Sequence, residues 1–359
     1  MEIEWPRWRR SAETPLRSFP SFSSVSHPPL WEHTGVKCTP LFLLIVLPLV
    51  CPSAEILTGS EPILIPNSTG PFESLRVDPN KRRLLMAHTG NGTLDIIDLK
   101  TETLLKQINT GAAQDCAIDV RKGNYYVSAS REKKVVVISR ETLDITKEIF
   151  LPGAAHGICI APEGVKRVFV GDKSGPNLWV VDPDEGKVVS TLPIPRGSQF
   201  LLAEDDTSRV YQTIASDSTV LVVSAADFNT TVGGAWSTSP AKQPHGFILD
   251  MRKPRRMFVA GTNAKLVDMN ADGNVTRSAN IATNVHQIAL DPGKNRLYCP
   301  GQNGVMTVLD TSNGSLNEIG RFEIAEGVKT AAIDPVTHAV WLAYNADGKS
   351  YARKYSLSK

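Results

Sequence analysis

Short apolar segments separated by polar turns follow one another along most of the chain. The stretch that begins at Leu75 reads LRVDPNKRRLLMAHTGNGTLDIIDLKTETLLKQINTG. It contains an apolar segment, an Asp-Pro turn, a second apolar segment, a Gly/Asn turn, a third apolar segment ending in Asp, and a fourth followed by Gly. Short apolar runs rich in β-branched residues and bounded by turn residues are typical of β-strands. The pattern therefore predicts a unit of four short strands.

This unit occurs seven times. The stretch IALDPGKNRLYCPGQNGVMTVLDTSNGSLNEIGRFEIAEG, which begins at Ile288, repeats it segment for segment. Unit starts lie about 41 to 47 residues apart, at Leu75, Cys116, Ile158, Phe200, Phe247, Ile288 and Ala331. No 3.6-residue periodicity accompanies them, which excludes a solenoid of helix pairs. We therefore predict an all-β fold, a seven-bladed β-propeller with four antiparallel strands per blade.

The last unit predicts how the ring closes. From Ala331 the chain supplies only three strands before it ends at Lys359, whereas an isolated strand, PILIP at residues 62–66, precedes the first unit. We expect this N-terminal strand to complete the seventh blade, because closure removes the open edges of the sheets. Residues 55–359 would then form a single propeller domain.

The third strands (TLDIID, NLWVVD and MTVLD, for example) are the most regular part of each unit. Asp98, Asp182 and Asp310 end three of them, and we interpret these aspartates as turn residues that bond to their own backbone. Their recurrence argues against a metal or catalytic role.

The segments DPxxxRLY, TVLDT and a fourth strand ending in Gly resemble the YVTN-type repeat of exported bacterial seven-bladed propellers, the YncE-like family. The resemblance covers residues 60–359. It departs from the usual Val-Ala-Asn end of the second strand, where this chain has Met-Ala-His, Val-Gly-Asp and Cys-Pro-Gly. The resemblance implies an exported binding or scaffolding propeller, and because its members differ in activity it implies little more.

Residues 1–54 have the features of a leader. Lys37 precedes an apolar run, LFLLIVLPLV at residues 41–50, and small residues follow it up to Ala54. This order is typical of a secretory signal peptide, and the run is too short to span a bilayer, which takes about 20 residues. We expect cleavage near Ala54, export to the periplasm or the cell exterior, and a mature chain without a membrane span.

Charge and cysteine content add little. A formal net charge of +2 gives no strong indication of nucleic-acid binding. Cys116, Cys159 and Cys299 are odd in number and lie in apolar strand patterns, so we expect buried free thiols and no disulfide framework.

The first strand of each propeller blade lines the central channel, and its opening residue faces the channel mouth. Alignment of the seven units places a polar or ionisable residue there in every blade: Glu73, Gln114, His156, Ser198, His245, His286 and Lys329. These residues predict a ligand-binding site. The simpler interpretation is that a channel mouth is open to solvent and that its polar residues contact only water.

Turns on the same face are expected to add six more polar residues: His88, Asp172, Asp217, Asn263, Gln302 and Asn345. His338, in a turn on the opposite face, is interpreted as a solvated surface histidine. His156, His245 and His286 could hold a metal ion, although they belong to different blades and would have to converge to bond lengths of about 2 Å. Metal occupancy is left open, and the sequence identifies no cofactor.

Two functions remain open. The first is a non-catalytic binding or scaffolding module, a monomer that takes a protein or a small polar ligand at the channel face. The second is a lactonase- or lyase-like enzyme that uses the mouth histidines as a general base, with or without a metal. CxxCH, GxSxG and phosphate-loop motifs are absent from the sequence, which favours the first. Histidines with an ordinary pKa near 6.5 also predict affinity that changes as the pH falls toward 5.

Overall fold

A computed structural model describes residues 56–228 and 234–358, and within them the predicted all-β, seven-bladed propeller is confirmed. Apart from two short 3-10 turns at Asp205–Thr207 and Ser312–Gly314, these residues form strands and their connections. No helix in this part of the chain is long and apolar enough to cross a membrane. The predicted leader and the domain boundary after residue 54 lie outside the described residues.

Each of the first six blades is a four-stranded antiparallel sheet whose strands follow chain order from the channel outward. Blade 1 contains β3 (Ser74–Asp78), β4 (Arg83–His88), β5 (Thr93–Asp98) and β6 (Thr103–Asn109). Blade 2 contains β7 (Ala113–Asp119), β8 (Asn124–Ala129), β9 (Lys134–Ser139) and β10 (Ile145–Phe150). Blade 3 contains β11 (Ala155–Ile160), β12 (Val168–Asp172), β13 (Asn177–Asp182) and β14 (Lys187–Pro193).

Blades 4 to 6 repeat this arrangement. Blade 4 contains β15 (Ser198–Glu204), β16 (Arg209–Ile214), β17 (Thr219–Ser224) and β18 (Ala235–Ser237). Blade 5 contains β19 (Pro244–Asp250), β20 (Arg256–Gly261), β21 (Lys265–Asn270) and β22 (Val275–Asn280). Blade 6 contains β23 (Ala289–Asp291), β24 (Arg296–Gly301), β25 (Val305–Asp310) and β26 (Asn317–Glu323).

Blade 7 joins the two ends of the described chain. Its first three strands are β27 (Ala331–Asp334), β28 (Ala339–Ala346) and β29 (Lys349–Ser358). The predicted closing strand is β2 (Ile63–Ile65), which pairs with the first half of β29, and β1 (Ile56–Gly59) pairs with the second half. Closure by an N-terminal strand is thus confirmed, and β1 extends the pairing to the end of β29.

The core lies between the blades. Buried apolar side chains of the described residues form seven clusters, and each cluster joins two neighbouring blades around the ring. The β-branched and aromatic third strands supply both faces, which explains their continuous apolar pattern. Ile65 of β2 is almost completely buried in the cluster between blades 7 and 1, so the closing strand contributes to the core as well as to the sheet.

The predictions about turn aspartates and cysteines are confirmed. Asp98 accepts hydrogen bonds from the backbone N–H groups of Lys100 and Thr101, and Asp182 and Asp310 do the same for their own turns. Cys116, Cys159 and Cys299 are free and buried, and burial raises the pKa of each thiol.

Candidate functional site at the channel mouth

The structure brings four of the seven predicted mouth residues around one cavity. Glu73, Gln114, His156 and His286 line it together with Asp115, Gly157, Gln199 and Phe200. Its volume is about 10 Å³, which is room for roughly one water molecule. A larger ligand would therefore have to rest on the cavity or displace the side chains that fill it.

Irregular strand pairing directs three mouth side chains. The register of the innermost strand shifts between Ala113 and Asp115, between Ala155 and Ile158, and between Pro244 and Phe247. Gln114, His156 and His245 lie within these three segments. A bulge bends its strand and re-aims a side chain, so local pairing explains how residues of different blades come to face the channel.

Two of the mouth histidines are followed by glycine, and the geometry requires it. A Cβ atom added to Gly157 would lie 2.2 Å from the carbonyl oxygen of Gln199, and one added to Gly246 would lie 2.5 Å from that of His286. No side chain fits at either distance, because the innermost strand of the next blade passes directly over the glycine. A His-Gly pair at the start of a first strand was therefore a usable signal that our sequence reasoning missed.

His156 is held in one tautomer. Its Nδ1 lies 2.7 Å from the carbonyl oxygen of Ser198, and because a carbonyl can only accept, Nδ1 carries the proton. In the neutral ring Nε2 is then an unprotonated acceptor. The backbone is fixed as well, since the hydroxyl of Ser128 in blade 2 donates to the His156 carbonyl.

Two ammonium groups lie at the mouth with different partners. Lys329 Nζ forms an ion pair with Glu73 Oε1 at 2.8 Å, whereas Lys173 Nζ donates to the neutral Gln114 Oε1 at 2.7 Å. Within residues 56–228 and 234–358, Lys173 forms no ion pair with a carboxylate. Burial raises the pKa of Glu73, but the charge and hydrogen bond of Lys329 outweigh it, so the net shift is downward and Glu73 is ionised at neutral pH.

The histidines are neutral across the physiological range. Burial, reinforced by neighbouring cationic groups, lowers the pKa of His245 to about 4 and that of His286 to about 3. Burial also lowers the pKa of His156 below its ordinary value. The expectation that these residues gain charge as the pH falls toward 5 is therefore wrong for His245 and His286, because that expectation took solvent-exposed histidines as its reference.

A three-histidine metal site does not form. Among the described residues no group of three or more His, Cys, Asp or Glu side chains is arranged to hold a metal ion. The rings of His245 and His286 are tilted against each other with their centroids 4.4 Å apart, and His156 is instead bonded to blade 4. The imidazoles therefore pack and hydrogen-bond rather than converge on one point.

Other predicted residues serve the fold. Ser198 is fully buried, and its hydroxyl accepts a hydrogen bond from Gln212 of its own blade instead of facing the cavity. The Asp172 carboxylate accepts backbone N–H bonds from Ser174 and Gly175, and Asn263 accepts one from Lys242. These side chains shape turns near the mouth but do not line its cavity.

His88 lies at the mouth-face end of β4, as expected, but its side chain does not line the cavity. Its side chain is completely buried, stacked on Phe72 at 3.9 Å between ring centroids, with Nδ1 2.7 Å from the Asp95 carboxylate. Its Nε2 faces the carbonyl oxygen of Gly70 at 3.1 Å and Ser350 of blade 7 at 3.3 Å. His88 thus joins the first blade to the closing segment.

His338 is on the opposite face as expected, but it is not a free surface histidine. Its Nδ1 lies 2.9 Å from a carboxylate oxygen of Asp291, which is almost fully buried. About a third of the His338 side chain is exposed. This contact links blade 7 to blade 6, a role that the sequence pattern around a single turn does not reveal.

Comparisons with known proteins agree with the fold. No protein-family model and no curated protein sequence matches the chain. Among solved structures, virginiamycin B lyase of Staphylococcus aureus is similar with a TM-score of 0.67 at 17% identity, over 85% of this chain and 100% of that one. A chain of Kuenenia stuttgartiensis hydrazine synthase is similar with a TM-score of 0.66 at 13% identity, over 80% of this chain and 96% of that one.

The WD40 repeats of RRP9 give a TM-score of 0.66 at 9% identity, over 84% of this chain and 97% of theirs. At these identities the likeness shows the propeller fold alone. The similar structures include both enzymes and WD40-repeat proteins, so they do not decide between the two functions. Membership of the YVTN-type family stays a prediction.

Proposed function

We propose that this chain is a non-catalytic binding module that holds an anionic group at the channel mouth. The observation that carries the proposal is Lys173, an ammonium at the mouth whose only hydrogen-bond partner among the described residues is the neutral amide of Gln114. An ammonium is best satisfied by a carboxylate or phosphate oxygen. Lys329 lies at the same mouth and would add a second ammonium to the binding site.

Charge supports the same ligand class. Glu73 and Asp115 are the carboxylates that line the mouth cavity, and each is already paired, with Lys329 and Arg76 respectively. Lys173 therefore has no carboxylate within ion-pair distance among the described residues. Burial and the nearby Lys329 lower its pKa below the ordinary value of a lysine, while Glu73 opposes that shift. A bound anion would relieve this cost.

Titration of the purified chain with acetate and with inorganic phosphate, at constant ionic strength and pH 7, tests the proposal. We expect measurable binding of at least one anion and at least a tenfold weaker affinity in Lys173→Gln. Lys122→Gln is the matched control, because Lys122 pairs with Asp184 away from the mouth. Equal affinity in Lys173→Gln and the parent, or no binding of either anion, would contradict the proposal. A partner protein that presents an acidic side chain would compete with the bound anion.

A lactonase- or lyase-like enzyme is the second candidate, and the unprotonated Nε2 of His156 favours it. A neutral imidazole at a cavity can act as a general base. The test is proton release or product formation from a panel of small lactones, measured for the parent and for His156→Ala. Turnover that His156→Ala abolishes would support the enzyme, and anion binding without turnover would support the binding module.

We also propose that the chain is exported and acts as a monomer in the periplasm or outside the cell. The support is the order of Lys37, the apolar run at residues 41–50 and the small residues up to Ala54. N-terminal sequencing of protein from the native host should find a start near Glu55. A cytoplasmic pool that keeps the leader would contradict export, and light scattering checks the monomer.

A further inference from the structure

A second cavity lies in the central channel beneath the mouth. Its volume is about 260 Å³, and its wall is mostly apolar. The innermost strands of blades 1, 4, 5, 6 and 7 supply this wall, with side chains that include Leu75, Phe200, Leu202, Phe247, Ile248 and Ile288. The wall ends at Pro79, Pro292 and Pro335, exposed turn residues at the C-terminal ends of their strands. The cavity therefore reaches the face opposite the mouth.

An ion pair separates the two cavities. Asp115, which lines the mouth cavity, is almost completely buried and accepts from Arg76 Nη2 at 3.0 Å and from Arg76 Nε at 3.3 Å. Arg76 lines the lower cavity, and a quarter of its side chain is exposed. Asp115 also accepts the backbone N–H of Cys116 at 2.9 Å, so the carboxylate is fixed and holds the guanidinium in place.

Arg76, which lines the apolar cavity, keeps unused hydrogen-bond donors. A guanidinium has five N–H donors, and the two contacts with Asp115 use Nε and Nη2. Nη1 donates to no atom of residues 56–228 and 234–358. Nη1 is not among the enclosed polar atoms that lack a partner, so it is accessible, and a ligand in this cavity can supply its acceptor.

We propose that the lower cavity binds a small, mainly apolar, uncharged molecule whose terminal carbonyl oxygen accepts from Arg76. The apolar wall takes the body of the ligand, which reaches the cavity from the face opposite the mouth. Asp115 already balances the charge of Arg76, so a ligand carboxylate would leave an excess negative charge among apolar side chains. A primary amide or a ketone offers the acceptor without that cost.

The cavity volume sets the size of the ligand. Drug-sized ligands occupy pockets of about 300–1,000 Å³, and this cavity of about 260 Å³ lies just below that range. A six-carbon amide is a suitable probe. The ligand and its face differ from those of the anion proposed at the mouth, so neither proposal depends on the other.

The experiment compares three probes with the same chain length, hexanamide, hexanoate and hexylammonium, by ligand-observed NMR and calorimetric titration. We expect hexanamide to bind most tightly. Hexylammonium offers Arg76 no acceptor and would bring an unpaired charge among apolar side chains, so it should bind at least tenfold more weakly. Tighter binding of hexanoate than of hexanamide by the parent would overturn the proposed ligand class.

Amino-acid substitutions test where hexanamide binds and whether its carbonyl oxygen accepts from Arg76. Leu202→Trp places a large side chain in the cavity and should abolish hexanamide binding, because Leu202 lines its wall. Asp115→Asn leaves Arg76 with an unbalanced charge and should shift the preference toward hexanoate. Arg76→Met/Asp115→Asn removes both charges together, which avoids a single unpaired buried charge, and should weaken hexanamide binding at least tenfold.

Lys173→Gln is the control for the mouth and should bind hexanamide as the parent does. Thermal unfolding of each variant shows that it is folded before it is titrated. Hexanamide affinity that is unchanged in both Leu202→Trp and Arg76→Met/Asp115→Asn, or that Lys173→Gln lowers, would overturn the proposal.

Discussion

At one end of the innermost strands the same residue type recurs around the ring, whereas at the other end the residue type changes from blade to blade. At the C-terminal end an acidic residue recurs in six blades: Asp78, Asp119, Glu204, Asp250, Asp291 and Asp334. Five of these, all the aspartates, accept a backbone N–H of the turn that follows. At the N-terminal end the seven mouth residues are of five different types. The repeated residue thus serves the fold of the blades that carry it.

The repeated end also joins neighbouring blades. Arg140 of blade 2 donates to Asp78 of blade 1 at 2.9 Å, and Arg255 of blade 5 donates to Glu204 of blade 4 at 2.6 Å. His338 makes the corresponding contact with Asp291. The mouth residues have no such common duty, so each can change without disturbing a turn. The residues that bind a ligand in this ring are therefore to be sought where the blades differ.

Removal of the strands that complete the seventh blade tests the ring itself and should have the largest effect. Deletion of residues 56–66 removes β1 and β2, which pair with the outer edge of β29, and the buried Ile65. An exposed sheet edge favours edge-to-edge association. We expect aggregation, or a fall of about 10 °C or more in the melting temperature, since several kcal/mol are lost. Light scattering and calorimetry measure the two outcomes.

A chain that begins at residue 56 is the control for that deletion and should remain monomeric. If the deletion variant is also monomeric and melts at the same temperature as this control, β1 and β2 do not close the ring.

Asp78→Ala should have the next largest effect. The carboxylate is completely buried and accepts from Arg140, from the hydroxyl of Tyr125 at 2.7 Å and from the Lys81 backbone. Loss of one partner of a buried pair leaves the other charge unbalanced, at a cost of about 3–5 kcal/mol. Urea unfolding measures this loss of free energy. Asp144→Ala, which breaks an exposed pair with Lys106, is the control and should change little.

The sequence predicted the fold closely because every blade repeats the same polar and apolar positions. The period, the Asp turns and the isolated strand at residues 62–66 were enough for the architecture and its closure. β1 was missed because residues 56–59 carry no pattern that distinguishes them from the preceding segment. Such a short strand is defined by its pairing with β29, which lies nearly the whole chain away in sequence.

The candidate site was only partly predictable. Strand alignment identified the residues at the start of each first strand. It did not show that bulges and His-Gly pairs orient their side chains, or that the Ser198 hydroxyl contacts Gln212 of its own blade. It also gave the histidines ordinary pKa values, because burial is a property of the assembled ring. Arg76 and Asp115 went unnoticed, since nothing local marks two residues 39 positions apart as a buried pair.

The pH dependence of the free energy of unfolding distinguishes buried mouth histidines from solvent-exposed ones. The unfolded-state pKa of a histidine is about 6.5, whereas the folded-state values are about 4 for His245 and about 3 for His286. The unfolded chain therefore binds more protons as the pH falls from about 6.5 toward 3, and the parent loses stability in that window. His245→Ala/His286→Ala removes this contribution.

Compared with the parent, this double variant should be relatively more stable at pH 4.5 than at pH 7.5, by about 2 kcal/mol per histidine. Urea unfolding at both pH values measures the difference, and each single variant should show part of the effect. A difference that is the same at both pH values would mean that the two imidazoles are solvated, and the mouth would then be ordinary wet surface.

The smallest effect is expected at Asp217, which lies on the mouth face but does not line the cavity. Its carboxylate is exposed and accepts from the hydroxyl of Ser216 at 2.7 Å. Asp217→Asn should change the free energy of unfolding by no more than about 0.5 kcal/mol. Its effect on anion affinity should be less than twofold at physiological salt, because exposed charges are screened over about 8 Å. Lys173→Gln is the comparison variant in the same titration. If the two substitutions change affinity equally, with opposite signs, the anion responds to the charge of the whole face. Lys173 beside the mouth cavity would then not be the site.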